Sequence, residues 1–152
     1  MPRVAVLTGS KSDLPVLEPC LQVLSDLGID HELHVMSAHR SPERVRKFVQ
    51  AADSSGFEVI IAAAGMAAHL PGVVASLTTL PVIGVPIASG NHAASGLDAL
   101  LSIAQMPPGV PVACVAINGA KNAGLLAAAI LALKHDAVRE ALIRFRAEQS
   151  SA

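Results

Sequence analysis

The chain has no tryptophan and no tyrosine, and three phenylalanines are its entire aromatic content. That leaves little to stack on an isoalloxazine ring and counts against a flavin carrier. Charge is scarce as well: Asp, Glu, Lys and Arg make up 15% of the 152 residues, with a formal net charge of -1. No basic face for nucleic acid or an anionic membrane is implied. The two cysteines, Cys20 and Cys114, are far apart and lack C-x-x-C spacing, so buried reduced thiols are expected. The longest apolar candidate, 123–133 ("AGLLAAAILAL"), is too short to span a bilayer, and no membrane partner is expected. The opening "MPRVAVLTGS" runs straight into an apolar strand pattern without signal or transit features, which predicts a cytoplasmic location.

What the chain does have is aliphatic. It is 52% hydrophobic, with a mean hydropathy of +0.53 and 27 alanines. The core is therefore expected to be built from small and branched side chains, with helices packed closely. The length fits a single domain, 1–152, large enough to bury a substantial core. A chain with so little charge has difficulty covering its own surface. An oligomer that hides apolar helix faces between subunits is expected.

Short aliphatic runs alternate with helical patterns. Strands are predicted at 3–8 ("RVAVLT"), 29–36 ("IDHELHVM"), 57–63 ("FEVIIAA"), 81–85 ("PVIGV") and 111–117 ("PVACVAI"). Helices are predicted near 12–27, 42–55, 67–78, 96–105, 119–133 and 136–149, with Gly28 and Gly56 as C′ residues ending the first two. Near-continuous β-branched runs imply strands buried on both faces. The pattern predicts an α/β fold: a three-layer α/β/α sandwich around a parallel, flavodoxin-like five-stranded sheet. In such sheets the ligand lies beyond the carboxyl ends of the strands, at the switch point.

Three strand-end loops therefore matter. In "TGSKSD", 8–13, Gly9 permits a tight turn and Ser12 or Asp13 can cap the next helix. Amides, the helix dipole and the Ser10 and Ser12 hydroxyls would make an anion site, though a serine-capped helix start explains the same letters. In "SAHRSP", 37–42, Ser41 as N-cap, Pro42 and Glu43 account for helix initiation alone. Ser37, His39 and Arg40 lie between strand end and cap, facing the crevice. Arg40 suits phosphate through its planar fork, and His39 suits proton transfer near neutrality, while an ordinary solvated loop histidine stays open as an alternative. In "AAAGMAAHLPG", 62–72, small residues let backbone approach a flat ligand, and Gly65 is expected to take a conformation barred to other residues. His69 there is as readily a structural hydrogen-bonder as a functional group.

Other chemistries lack their marks. Neither GxGxxG nor GxxxxGK[ST] spacing occurs, and no GxSxG elbow is present. His31 and His34 are not at i,i+4 on a helix, and no carboxylate or cysteine pairs with His39 at ligand spacing, so no metal is expected. A receiver-type phosphoacceptor Asp is missing after the third predicted strand.

The ordered segments "GSKSD" (9–13), "SAHRSP" (37–42), "AAHLPG" (67–72), "LPVIGVP" (80–86), "GLDALLSIAQMPPGVPV" (96–112) and "NAGLLAAAIL" (122–131) span almost the whole chain. Together they resemble the PurE family, specifically its class I N5-carboxyaminoimidazole ribonucleotide mutases of purine (IMP) biosynthesis. The resemblance implies a ribonucleotide substrate whose phosphate is held by Ser10, Ser12 and Arg40, with Asp13 favouring ribose hydroxyls. It implies His39 as the essential acid–base, with Ser37, the Gly65–Ala68 backbone and His69 around the imidazole and carboxylate. It further implies carboxyl transfer from exocyclic nitrogen to ring carbon without cofactor, metal or ATP, and a homo-octamer. Alternatives are a class II-type aminoimidazole ribonucleotide carboxylase using CO2, a related carboxylase acting on another nucleotide, and a non-catalytic nucleotide-binding protein. Three features depart from the family pattern. Met66 stands where Gly is commoner, 88–96 looks longer than usual with His92 lacking a counterpart, and the longer tail of some members is missing after Ala152.

Overall fold

The computed structural model describes residues 1–88 and 94–152. The loop 88–96 therefore falls largely outside the described residues, and His92 entirely so. Five strands form one parallel sheet: β1 (Arg3–Thr8), β2 (Asp30–Val35), β3 (Val59–Gly65), β4 (Val82–Ile87) and β5 (Ala113–Cys114). Their order is β2-β1-β3-β4-β5, the flavodoxin-like arrangement expected from the alternating pattern. The chain reverses its direction of winding between β1 and β3, so the loops after those strands diverge and leave a crevice.

Among the described residues six α-helices connect and cover the sheet: α1 (Leu14–Asp26), α2 (Pro42–Ala52), α3 (Leu70–Ser76), α4 (Leu97–Ala104), α5 (Ala120–Leu131) and α6 (Asp136–Ser150). On one face Val4, Val6, Ile61, Val85 and Ile87 pack against Leu17, Cys20 and Leu24 of α1 and Ala123, Ala127 and Leu131 of α5. On the other, Ala5, Leu7, Ile60 and Ala62 meet Val45 and Val49 of α2 and Leu70 and Val74 of α3. The alanines allow close approach. At Gly124 of α5 even a Cβ would stand 2.5 Å from Val23 Cγ1 and 3.2 Å from the Cys20 carbonyl oxygen of α1. Gly28 and Gly56 take φ of 71° and 89° just past α1 and α2, as helix-ending glycines do.

Two expectations need correction. β2 is not buried on both faces: each of its residues is half-buried or exposed, because it is an edge strand carrying Asp30, His31, Glu32 and His34. β5 is two residues long rather than seven, being the opposite edge and lacking a donor at Pro111. Beyond it, Val115 N–H still donates to the Gly84 carbonyl at 3.1 Å and Asn118 N–H to Pro86 at 2.8 Å. Among the described residues no helix is long and apolar enough to cross a membrane.

The thiols divide. Cys20 is fully buried between α1 and α5, and burial pushes its pKa up to about 12. Cys114, on the edge strand, is half-buried rather than buried as expected, and its thiol is raised by the same desolvation.

Candidate active site

A cleft of about 580 Å³ opens at the carboxyl ends of β1, β2 and β3. It is lined by Gly9, Ser10, Ser12 and Asp13 from the first loop, Ser37 to Arg40 from the second, and Ala64 to Ala67, His69 and Leu70 from the third. All of the expected site residues except Ala68 line it. Ala68 is fully buried against Ala99 and Ile103, and its N–H is used internally on the Met66 carbonyl at 2.8 Å.

The first loop folds as a 3-10 turn, Lys11–Asp13, before α1. Ser10 caps this turn, its hydroxyl accepting from Ser12 N–H at 3.3 Å and sharing a 2.8 Å bond with the Ser12 hydroxyl, while Asp13, one of the two residues expected to cap the helix, stands at the N-cap position of α1. Asp13 makes no cap bond. It is buried, and its carboxylate accepts from the Thr8 hydroxyl at 2.8 Å, which fixes the carboxyl group at the cleft floor. Gly9 is not in the left-handed region, and a Cβ there would make an ordinary 3.9 Å contact with Ser37 Cα. Its contribution is its carbonyl, which accepts from Arg40 Nη2 at 2.7 Å.

The second loop is closed on itself. The Ser41 N–H and hydroxyl both donate to the Ser37 carbonyl, at 2.8 and 3.1 Å, so Ser41 stands at the N-cap position without making the expected side-chain cap. The Ser37 hydroxyl accepts from Arg40 N–H at 3.2 Å. With both serines committed to the turn, His39 and Arg40 are presented outward; both are exposed. Arg40 bridges to the first loop through Gly9, which holds its guanidinium beside Ser10 and Ser12. Two hydroxyls, the amides of a turn and one guanidinium on one side of a cleft are donors of the kind that suit an anion.

His39 and His69 meet across the cleft from different loops. His39 Nε2 lies 2.8 Å from His69 Nδ1, with the rings edge to face at a centroid distance of 4.9 Å. At that distance one nitrogen carries the hydrogen and the other accepts it. Such a pair is chemically able to exchange a proton while one ring holds the orientation of the other, and both residues are exposed in the cleft.

The third loop is tight. The bonds from Ala68 N–H to Met66 and from His69 N–H to Ala67, at 2.8 and 2.9 Å, turn the chain toward α3, whose N-cap is His69. The left-handed position expected at Gly65 belongs instead to Met66, with φ 52°. Gly65 is required for a different reason, since a Cβ there would come within 3.2 Å of the Ile87 carbonyl oxygen on β4. Thr8, Ala38, Ala64 and Leu70 join the site without having been singled out as its members, and Met66, expected there only through its backbone, adds its side chain. Only Met66 carried a signal, as a large side chain within a run of small ones.

Comparison with known proteins places this architecture. A profile of the family described as AIR carboxylase matches residues 3–152. The N5-carboxyaminoimidazole ribonucleotide mutase of Pyrococcus abyssi is 56% identical over 146 residues, covering 96% of this chain and 83% of that protein. The enzyme of the same description from Thermotoga maritima is 57% identical over 135 residues, covering 89% and 78%. Among solved structures, Treponema denticola PurE superposes with a TM-score of 0.88 at 26% identity, covering 99% of this chain and 93% of that one.

Proposed function

This chain belongs to the AIR carboxylase family, and from that premise we propose that it is an N5-carboxyaminoimidazole ribonucleotide mutase. It converts N5-carboxyaminoimidazole ribonucleotide to 4-carboxy-5-aminoimidazole ribonucleotide, an isomerisation of purine biosynthesis. The observation that carries the reading is the His39–His69 pair sharing one cleft with Ser10, Ser12 and Arg40. A phosphorylated substrate is anchored at one end and exchanges protons at the other.

The chemistry divides accordingly. Ser10, Ser12 and Arg40 hold the phosphate, and Asp13, fixed by Thr8, accepts from ribose hydroxyls. Ser37, His69 and the backbone from Gly65 to Ala67 surround the ring and its carboxylate, with Ala68 buried behind them. As the N–C bond to the carboxylate breaks, His39 delivers a proton to the exocyclic nitrogen, leaving an amine and CO2. The ring carbon then attacks CO2, and the proton it bore returns to His39. One proton is lent and recovered, so the reaction needs neither cofactor nor net acid. Holding CO2 beside the ring carbon replaces a bimolecular encounter with a positioned one. His69 keeps the His39 ring in place until substrate takes over that contact.

The same reading includes a cytoplasmic location and a homo-octamer. In support of assembly, Leu97, Leu101 and Ile143 are 53%, 49% and 61% exposed on helices whose chain carries little charge. Light scattering should then give a particle of eight 15.5 kDa chains. The activity is tested by supplying N5-carboxyaminoimidazole ribonucleotide, or separately aminoimidazole ribonucleotide with bicarbonate, and following product absorbance. Efficient conversion of the first is expected. Conversion of the second alone would overturn the reading in favour of a class II-type carboxylase.

A further inference from the structure

Among the described residues three non-glycine positions have positive φ: Met66 at 52°, Ser95 at 51° and Asn118 at 58°. Asn is among the residues that enter this region most readily, and Asn118 is compensated: its side-chain amide accepts from Ala88 N–H at 2.9 Å and donates to the Ala88 carbonyl at 3.0 Å. Met66 has no comparable reason to be there. A thioether offers the backbone no useful hydrogen bond, and the side chain is 54% exposed, so core packing does not account for it either. Glycine would hold the same backbone without strain. An uncompensated, half-solvated apolar residue in a disfavoured conformation points to a role at the site it borders.

Met66 projects at the apex of the third loop, on the wall of the cleft that contains His39 and His69. Most of the remaining lining is small or polar. The other large apolar member, Leu70, is anchored in the core at 3% exposure. Among the described residues that line the cleft, Met66 is therefore the one long, flexible apolar side chain free to lie over the reacting end. Resting on the activity proposed above, the chemistry supplies a task for it. Between bond cleavage and bond formation the carboxyl group is free CO2, uncharged, small and apolar, so the anion clamp has no hold on it.

We propose that Met66 is the wall that retains CO2 at the reacting end, a positioning residue that sets how much of each turnover completes. Escape of CO2 leaves aminoimidazole ribonucleotide: the N–C bond has broken, the exocyclic nitrogen keeps the proton from His39, and the ring carbon keeps its own hydrogen. The test is to supply N5-carboxyaminoimidazole ribonucleotide to wild type, Met66→Gly and Met66→Leu. The split between 4-carboxy-5-aminoimidazole ribonucleotide and aminoimidazole ribonucleotide is measured after subtracting spontaneous loss. In Met66→Gly the share lost as aminoimidazole ribonucleotide should rise several-fold while KM changes little, and Met66→Leu should restore most of the wild-type split. The melting temperature of Met66→Gly should equal or exceed that of wild type, since strain is relieved. An unchanged split in Met66→Gly, or a uniform fall in activity accompanied by lower stability, overturns the proposal. A wild type that does not convert this substrate at all overturns the activity itself, and this inference with it.

Discussion

At the amino ends of the strands, Arg3 reaches from β1 to Asp30 and Glu32 of β2 and to the Ser55 carbonyl before β3, and its guanidinium lies 4.3 Å from the centre of the Phe57 ring. Nearby, Glu58 accepts from His135 at 2.8 Å and pairs with Lys134 at 3.5 Å. At the carboxyl ends, Arg40 is held by a backbone carbonyl and His39 by another histidine, and neither faces a carboxylate within ion-pair distance among the described residues. Both ends carry hollows of similar size, about 550 Å³ beside α6 and about 580 Å³ at the cleft. Volume does not distinguish them; the state of their charges does. At one end Arg3 is paired with Asp30 and Glu32, and Glu58 with Lys134 and His135, which ties neighbouring strands together and α6 to the sheet. The other end leaves its cation and imidazoles without acidic partners, which is the condition for binding an anion and moving a proton.

Backbone conformation follows the same division. Gly28 and Gly56, at the amino ends, take positive φ at no steric expense, whereas Met66, Ser95 and Asn118 all lie in loops beyond strand carboxyl ends. Among the described residues, positive φ at non-glycine positions is confined to the end that carries the cleft.

If the two ends differ in this way, His39→Asn should have the largest effect, lowering turnover by about 10²- to 10⁴-fold through loss of general acid–base catalysis while the melting temperature barely moves. Steady-state kinetics and thermal unfolding together check this. Arg40→Ala comes next. Loss of a charge-assisted anchor worth about 1.5–3 kcal/mol should raise KM by about 10- to 100-fold, with a smaller change in kcat. An unchanged KM would remove Arg40 from the phosphate site.

Away from the cleft the effects should appear in stability instead. Gly124→Ala pits a helix-propensity gain of about 0.5–1 kcal/mol against overpacking that typically costs about 1–3 kcal/mol. The new Cβ would meet a stiff valine methyl at 2.5 Å and a backbone carbonyl at 3.2 Å, so the clash wins and urea unfolding should show a net loss. Glu58→Gln should be the mildest. It weakens the bonds to His135 and Lys134 at a side chain 23% exposed, for about 1 kcal/mol of stability and no change in kcat.

The fold was legible because parallel strands buried in aliphatic layers announce themselves as β-branched runs, and Gly28 and Gly56 mark the helix ends. The edges were less so. In β2 the charged residues already argued against burial on both faces, and β5 was shortened by its position, which only the assembled sheet determines. At the site, His39, Arg40, Ser10 and Ser12 stood out as polar residues in strand-end loops. What the sequence could not reveal was pairing across loops. The 2.8 Å contact between His39 and His69 joins residues 30 apart, and Glu58 with His135 joins residues 77 apart. The displacement of the left-handed position from Gly65 to Met66 was likewise hidden, because glycine was the residue that local rules favoured there.

The central claim is that the anion clamp and the proton-exchanging pair are separate parts of one cleft. Calorimetric titration of 4-carboxy-5-aminoimidazole ribonucleotide into His39→Asn tests it most directly. A Kd within a few-fold of the wild-type value, in a protein that no longer turns over, is the predicted result. Binding lost together with turnover, or turnover retained near the wild-type rate, would contradict it.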